Sequence, residues 1–551
     1  MKQLGECVRV WWPGVKRAVT AEAPDGRGCA SKTRRGAPTL AGLTFLLITL
    51  GPGAAVVPAL GQVANAQEAT GGSDPASLPA RIRRIMDHYG MSPDGLSIYI
   101  HEVGAPHPAF TFNAQRPRNP ASTMKVVTTY AGLEMLGPGY YWQTDIIADG
   151  EIADGRLDGD LVLRAGGDPY LVAERFWLML RQLRLAGVKD ISGDLVFESG
   201  PFQRPGTAPG AFDSQPYRTY NVLPNDLLLN FQSTVFRFEA DAAAGRVRIQ
   251  ADPPLANLRL DNRLKLGAGA CRGYQRGIAF DARESDDSMT AVFSGTFPAS
   301  CERYAMRRAF TVPDVYNYGL FKALWQELGG DLQGGWRRIE ARDAAREPLV
   351  SFRSPSLAEI IRSINKHSNN VMARHLMMAL GEARYGPPAS ESAGRKAIMA
   401  WLEEEGLAMA GLNIDNGAGL SRSASISAHQ MGAILLHAQR SLYVAELVAS
   451  MPISAVDGTL RRRFSDEGLA GRLHMKTGSL DDVSALAGFA TARSGRRYAI
   501  VVMVNAPHAH RGPGRELQEA LVGWVMAREP GDAPAGDCAA PLVGDVASMP
   551  N

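Results

Sequence analysis

Beyond residue 60 this chain has no apolar run long enough to cross a bilayer, which takes about 20 residues. Cysteine is scarce too: five in 551 residues, with no Cys/His spacing of the kind that builds a zinc site. Net charge is small, and most of it is misplaced for a body-wide role. Residues 1–66 hold 8 Lys+Arg against 3 Asp+Glu, so the overall +3 leaves a net of −2 for residues 67–551. A near-neutral body argues against nucleic-acid binding as its main business, because phosphate contacts need clustered cations. No motif calls for a metal or an organic cofactor. The remainder, 45% hydrophobic and 21% charged, is ordinary globular composition in a chain long enough for two or three domains.

The basic excess has its own explanation. A segment ending in Lys32-Thr33-Arg34-Arg35 precedes the apolar run Leu40 to Leu60, which Gly51, Pro52 and Gly53 interrupt. Ala64-Asn65-Ala66 then offers small residues at a cleavage site, the layout of a secretory signal peptide over 1–66, cut near Ala66. The expected location of the mature protein is the periplasm. There Cys271 and Cys301 are placed for a disulfide, with two free thiols as the alternative, while Cys538 lies in a tail and stays unpaired.

Residues 67–80 are small and polar and read as a linker. A helix follows to Tyr89, stopped by Gly90, then two strands: Leu96, Ile98 and Ile100 alternate with polar residues, and Phe110-Thr111-Phe112 answers them. From about 145 to 310 short alternating runs are separated by Asp149-Gly150, Asp154-Gly155, Gly159-Asp160 and Gly193-Asp194, which predict hairpin turns in an inserted β-rich region. Helical periodicity returns after Pro313, and strands close the chain at 472–478, 485–491 and 498–505 before a last helix. Residues 81–144 and 311–529 therefore read as one domain split by the insertion, and 530–551 as a disordered Pro/Gly/Ala tail. The fold class expected is α+β.

Three short motifs carry chemistry. In Asn119-Pro120-Ala121-Ser122-Thr123-Met124-Lys125 a hydroxyl and an amine three residues apart share a helix face, and a desolvated lysine can serve as base for a serine nucleophile. That spacing alone is weak evidence, because Ser363…Lys366 repeats it. Lys476-Thr477-Gly478 occurs once, on a predicted strand, where a cation and a hydroxyl can hold a carboxylate and the glycine leaves room beside the backbone. Ser368-Asn369-Asn370 sits at a polar break between two helical runs, where helix capping is the bland reading and a cleft-facing hydroxyl and amide the functional one.

In this order the three resemble the Ser-x-x-Lys, Ser-Asp-Asn and Lys-Thr-Gly signature of β-lactamases and penicillin-binding proteins. The middle motif departs by Asn369, where Asp is common. The 246 residues between Ser122 and Ser368, against 108 from Ser368 to Lys476, narrow the likeness. Such a gap resembles the low-molecular-mass class C penicillin-binding proteins, the D-alanyl-D-alanine carboxypeptidase/endopeptidase family, over about residues 80–530. Gly166-Gly167-Asp168-Pro169, Asp415 to Arg422 and Asp457-Gly458-Thr459-Leu460 look like further landmarks of that family.

The resemblance implies a serine β-lactamase/transpeptidase-like domain, an antiparallel sheet flanked by helices, with a large β-rich insertion. It implies acyl transfer on peptidoglycan stem peptides, inhibition by β-lactams, and a loose association with the cell wall or membrane surface. Ser122 would be nucleophile, Lys125 base, Ser368 the proton relay to the leaving amine and Asn370 the positioning amide. Lys476, Thr477, Gly478 and Ser479 would bind substrate along the strand, with Arg422 and Asp213 gripping its free end. Asp213 also reads as a turn residue. Outside enzymes, the competing reading is an inactive peptidoglycan-binding scaffold.

Overall fold

The structure, a computed structural model, describes residues 72–527 apart from 274–276, 342–345, 408 and 466–467. The leader expected over 1–66, residues 67–71 of the expected linker, the tail over 530–551 and Cys538 lie outside these residues; the rest of the linker includes the short 3₁₀ turn Pro75–Ser77.

A five-stranded antiparallel sheet organises one body, in the order Leu473–Leu480, Val483–Thr491, Arg497–Asn505, Leu96–Glu102, Phe110–Phe112. Its central strands are buried on both faces, and the period of two divides their side chains between two cores. Tyr99, Ala485, Ala487, Phe489, Ala499, Val501 and Met503 face one core. There they meet helices Met124–Leu136, Leu357–His367, Asn370–Tyr385, Glu391–Glu404 and Ala428–Ala438. Ile98, Ile100, Leu486, Ile500, Val502 and Val504 face the other, against helices Ala80–Tyr89 and Pro513–Met526. Leu473–Leu480 is left as an edge strand beside the turn that carries Ser122.

The second body is a seven-stranded sheet and two three-stranded sheets around a separate core. Its pairing runs from Gln143 to Arg353, because strand Val350–Arg353 closes on Gln143–Ala153. Helix Pro313–Glu327 buries Val315, Tyr316, Leu320, Phe321, Leu324 and Trp325 in this core. By packing, the inserted body thus extends past residue 310, because a helical period says nothing about which core a helix will join. The turns also differ from expectation. Asp154 and Gly155, both at positive φ, make the tight two-residue hairpin between Gln143–Ala153 and Arg156–Arg164. Gly150 and Gly159 instead face each other inside those strands, where a Cβ on either would lie 2.3 Å from a carbonyl oxygen of the opposite strand. The glycines there permit close backbone approach rather than a turn. Cys271 and Cys301 form a disulfide.

Candidate active site

Ser122 sits in a short 3₁₀ turn, Ala121–Thr123, that runs into helix Met124–Leu136. Pro120 and the positive φ of Ala121 set the entry, and Asn119 Oδ1 accepts from the Ala121 N–H at 2.9 Å. One turn on, Lys125 is fully buried. Its Nζ lies 3.0 Å from Ser122 Oγ and donates to Asn370 Oδ1 at 2.7 Å and to the Ala418 carbonyl at 2.5 Å. None of these partners is a carboxylate. Burial, and after it the charge of Lys476, hold the Lys125 ammonium well below the usual lysine range.

The other Ser-x-x-Lys is of a different kind. Lys366 donates to Asp457 Oδ2 at 2.6 Å and to the Met451 carbonyl at 2.9 Å, so its charge is paired and tied down. Ser363 is on the surface of the same helix, Leu357–His367. Carboxylate partnership, which spacing cannot reveal, separates the two lysines.

Ser368-Asn369-Asn370 is a hinge between helices with three distinct jobs. Ser368 takes left-handed backbone as the C-cap of Leu357–His367. Asn369 is the N-cap of Asn370–Tyr385, its side chain accepting from the Met372 N–H at 3.2 Å. Asp and Asn cap equally well, so the departure at this position leaves the local structure intact. Asn370, first in its helix, points inward, and Nδ2 donates to the carbonyl of Tyr220 at 3.0 Å. That acceptor comes from the inserted body and orients the amide, so that Oδ1 is presented to Lys125.

The edge strand completes the cluster. Lys476, buried, donates to Ser368 Oγ at 2.9 Å and to the Thr477 carbonyl at 2.7 Å, and burial pulls its pKa down to about 7. A Cβ on Gly478 would stand 2.5 Å from the Pro120 carbonyl oxygen and 3.0 Å from Ser122 N. Gly419, at φ +73°, is pressed against the same turn from the other side, its ideal Cβ 1.8 Å from the Ala121 carbonyl oxygen. Ser479 is exposed at the strand's far end. The arrangement therefore offers a hydroxyl against an unpaired amine, with a second amine–hydroxyl pair, Lys476 and Ser368, alongside.

The side chains of the remaining two residues bond elsewhere. Arg422 is exposed, 3.3 Å from Asp481 Oδ2, with its guanidinium 4.5 Å from the Phe212 ring centre. Asp213 follows that phenylalanine, but its oxygens accept from Gln215 N, Asn221 Nδ2 and Tyr220 Oη. Its carboxylate thus holds together the turn that offers Tyr220's carbonyl to Asn370. Burial first, and then the bond to Asp213, push the Tyr220 phenol up to about 12. Sequence reasoning missed the carbonyls of Tyr220 and Ala418. The only trace of the second was the Gly-Ala-Gly stretch at 417–419, whose last glycine lets the chain pass close to the Ser122 turn.

A family model described as the D-Ala-D-Ala carboxypeptidase 3 (S13) family matches residues 80–528. The D-alanyl-D-alanine carboxypeptidase DacB of Haemophilus influenzae is 26% identical over 392 residues, 70% of this chain and 80% of that one. A D-alanyl-D-alanine carboxypeptidase of Actinomadura sp. strain R39 is 28% identical over 436 residues, 76% of this chain and 78% of its own. The crystal structure of penicillin binding protein 4 (dacB) from H. influenzae shares the fold, with a TM-score of 0.68 at 22% identity, covering 81% of this chain and 100% of that one. That protein has also been solved complexed with a β-lactam.

Proposed function

This chain belongs to the D-Ala-D-Ala carboxypeptidase 3 (S13) family, and we propose that it is a serine-type carboxypeptidase and D,D-endopeptidase of peptidoglycan stem peptides, inhibited by β-lactams. The observation that carries the reading is the set of contacts at Lys125. A neutral amine has two N–H donors and one lone pair. The carbonyl oxygens of Asn370 and Ala418 take the two donors, which leaves the lone pair for the Ser122 hydroxyl 3.0 Å away.

Ser122 then attacks the carbonyl carbon of the penultimate D-Ala as its proton passes to Lys125. The N–H groups of Ser122 and Ser479 receive the developing oxyanion. Ser368, hydrogen-bonded to Lys476, relays to the leaving amine the proton that Lys125 took, and both return to their starting state. Lys476 holds the terminal carboxylate with the Thr477 hydroxyl at its side, and Gly478 keeps the strand close. Water next attacks the acyl-enzyme carbonyl, releasing the shortened peptide and Ser122. A β-lactam enters the first half and stalls as the acyl adduct. Arg422 contacts the free end of the side peptide, with Asp213 using the carboxylate lone pair that its three bonds leave over.

The leader at 1–66 and the Cys271–Cys301 disulfide support an extracytoplasmic, periplasmic site of action, where peptidoglycan lies. Labelling with a fluorescent penicillin tests the reading: one covalent adduct is expected on the wild type and none on Ser122→Ala. An unlabelled wild type would favour the inactive scaffold. Digestion of cross-linked muropeptides tests the endopeptidase half, and release of D-Ala alone would remove it.

A further inference from the structure

The second Ser-x-x-Lys has no part in acyl transfer, yet its lysine is buried and its carboxylate partner opens a turn that ends beside the edge strand. Asp457 accepts from Lys366 Nζ at 2.6 Å through Oδ2 and from the Ile453 N–H at 2.8 Å through Oδ1. Gly458, at φ +56°, is pressed onto the carbonyl of Lys366, which an ideal Cβ would approach to 2.7 Å. The turn is thereby fixed at two successive residues. The next residue, Thr459, is exposed, and its Oγ1 accepts from Thr477 Oγ1 at 2.7 Å.

Two hydroxyls bonded to each other spend one hydrogen and keep one. With Thr477 donating, the hydrogen left over belongs to Thr459, on the open side of the strand. A hydroxyl that is already accepting is a stronger donor, because the two dipoles polarise each other. The ligand suited to a free O–H beside the buried cation Lys476 is a carboxylate. We propose that Thr459 is a second hydroxyl of the carboxylate site, set in place by the Lys366–Asp457 ion pair, and that it donates to the terminal carboxylate of the ligand. The proposal rests on the acyl-transfer reading above and extends it to a binding residue outside the three motifs. Lys366 and Asp457 are positioning residues; they reach the ligand only through Thr459.

The test compares penicillin G with its methyl ester as acylating agents of the full chain, since the ester lacks the charged carboxylate. Wild type is expected to prefer the acid. Thr459→Val should slow acylation by the acid about tenfold more than acylation by the ester, the loss of one charge-assisted hydrogen bond. Thr459→Ser should restore the preference, and Asp457→Asn should lower it by a smaller factor. A Thr459→Val enzyme that slows equally toward acid and ester, or keeps the wild-type preference, overturns the proposal. A wild type that neither compound acylates overturns the acyl-transfer reading itself, so the two failures are distinguishable.

Discussion

Gly478→Ala isolates how closely the edge strand must approach the serine turn. Gly478 is not among the residues at positive φ, so alanine there carries no penalty of the left-handed region. The new methyl would meet the Pro120 carbonyl oxygen at 2.5 Å, Ser122 N at 3.0 Å and Ala121 Cβ at 3.1 Å. Two of these are backbone atoms, so no flexible side chain can yield. An ordinary contact of about 3.4 Å requires the strand and turn to part by about 0.9 Å. A misplacement near 1 Å costs about 10²-fold in rate, or about 2.7 kcal/mol of barrier, while overpacking costs about 1–3 kcal/mol of stability. The expected result is a penicillin acylation rate down about 100-fold in a protein that still unfolds cooperatively. Gly137→Ala is the control. Its φ of +78° with ψ of 156° is backbone that side chains avoid, and nothing lies within 4 Å of the new Cβ, so it should lose about 1–3 kcal/mol of stability and no acylation rate. A Gly478→Ala enzyme acylated within about threefold of wild type would refute the claim that this approach matters.

Other expectations concern charge and covalent closure. As pH rises Lys125 loses its proton and becomes a base, whereas Lys476 loses its charge near 7; kcat/KM for a carboxylate substrate should be bell-shaped with its falling limb near pH 7. Acylation by penicillin methyl ester should lack that limb, and a shared limb would remove Lys476 as its source. The depressed folded pKa of Lys476 also has a stability sign. Its contribution is fully present above the unfolded value of 10.5 and lost as pH falls through about 7, which melting curves across that window measure. Arg422→Ala should raise KM for natural muropeptides while leaving penicillin acylation within about twofold, since its side chain is exposed and pairs with Asp481 rather than with Ser122 or Lys125. Equal losses on both substrates would contradict that. Cys271→Ser opens a cross-link between residues 30 apart and should cost about 3–4 kcal/mol or less, read as a shifted denaturation midpoint with acylation retained.

Much of the fold could be read from periodicity. The two-sided burial of the central sheet is written in Ala485–Thr491 and Tyr498–Asn505, and the helix boundaries near Gly90 and Ser427 follow from their caps. Other features resist such reading for physical reasons. Gly150 and Gly159 sit beside acidic residues as turn glycines do, but the pairing of their strands decides their role. Helix Pro313–Glu327 has an apolar face that either core could bury. The structure brings together Ser122, Lys125, Ser368, Asn370 and Lys476, the residues that the motifs singled out. Spacing could not distinguish Lys125 from Lys366, because that difference lies in Asp457, distant in sequence and close in space. Main-chain acceptors leave no side-chain signature at all, as the carbonyls of Tyr220 and Ala418 illustrate.

The bond from Asn370 to Tyr220 bears on how this enzyme could be cut down or rebuilt. A primary amide is nearly symmetric in shape and opposite in polarity at its two ends, so something outside it must decide which end faces the lysine. Here the decision comes from a turn in the 143–353 body, braced by Asp213. A truncated enzyme lacking that body would keep every motif residue and lose the orientation of one of them, with an N–H free to swing toward the Lys125 amine. Loops transplanted between relatives face the same constraint: the graft has to deliver a carbonyl at that spot, whatever its side chains.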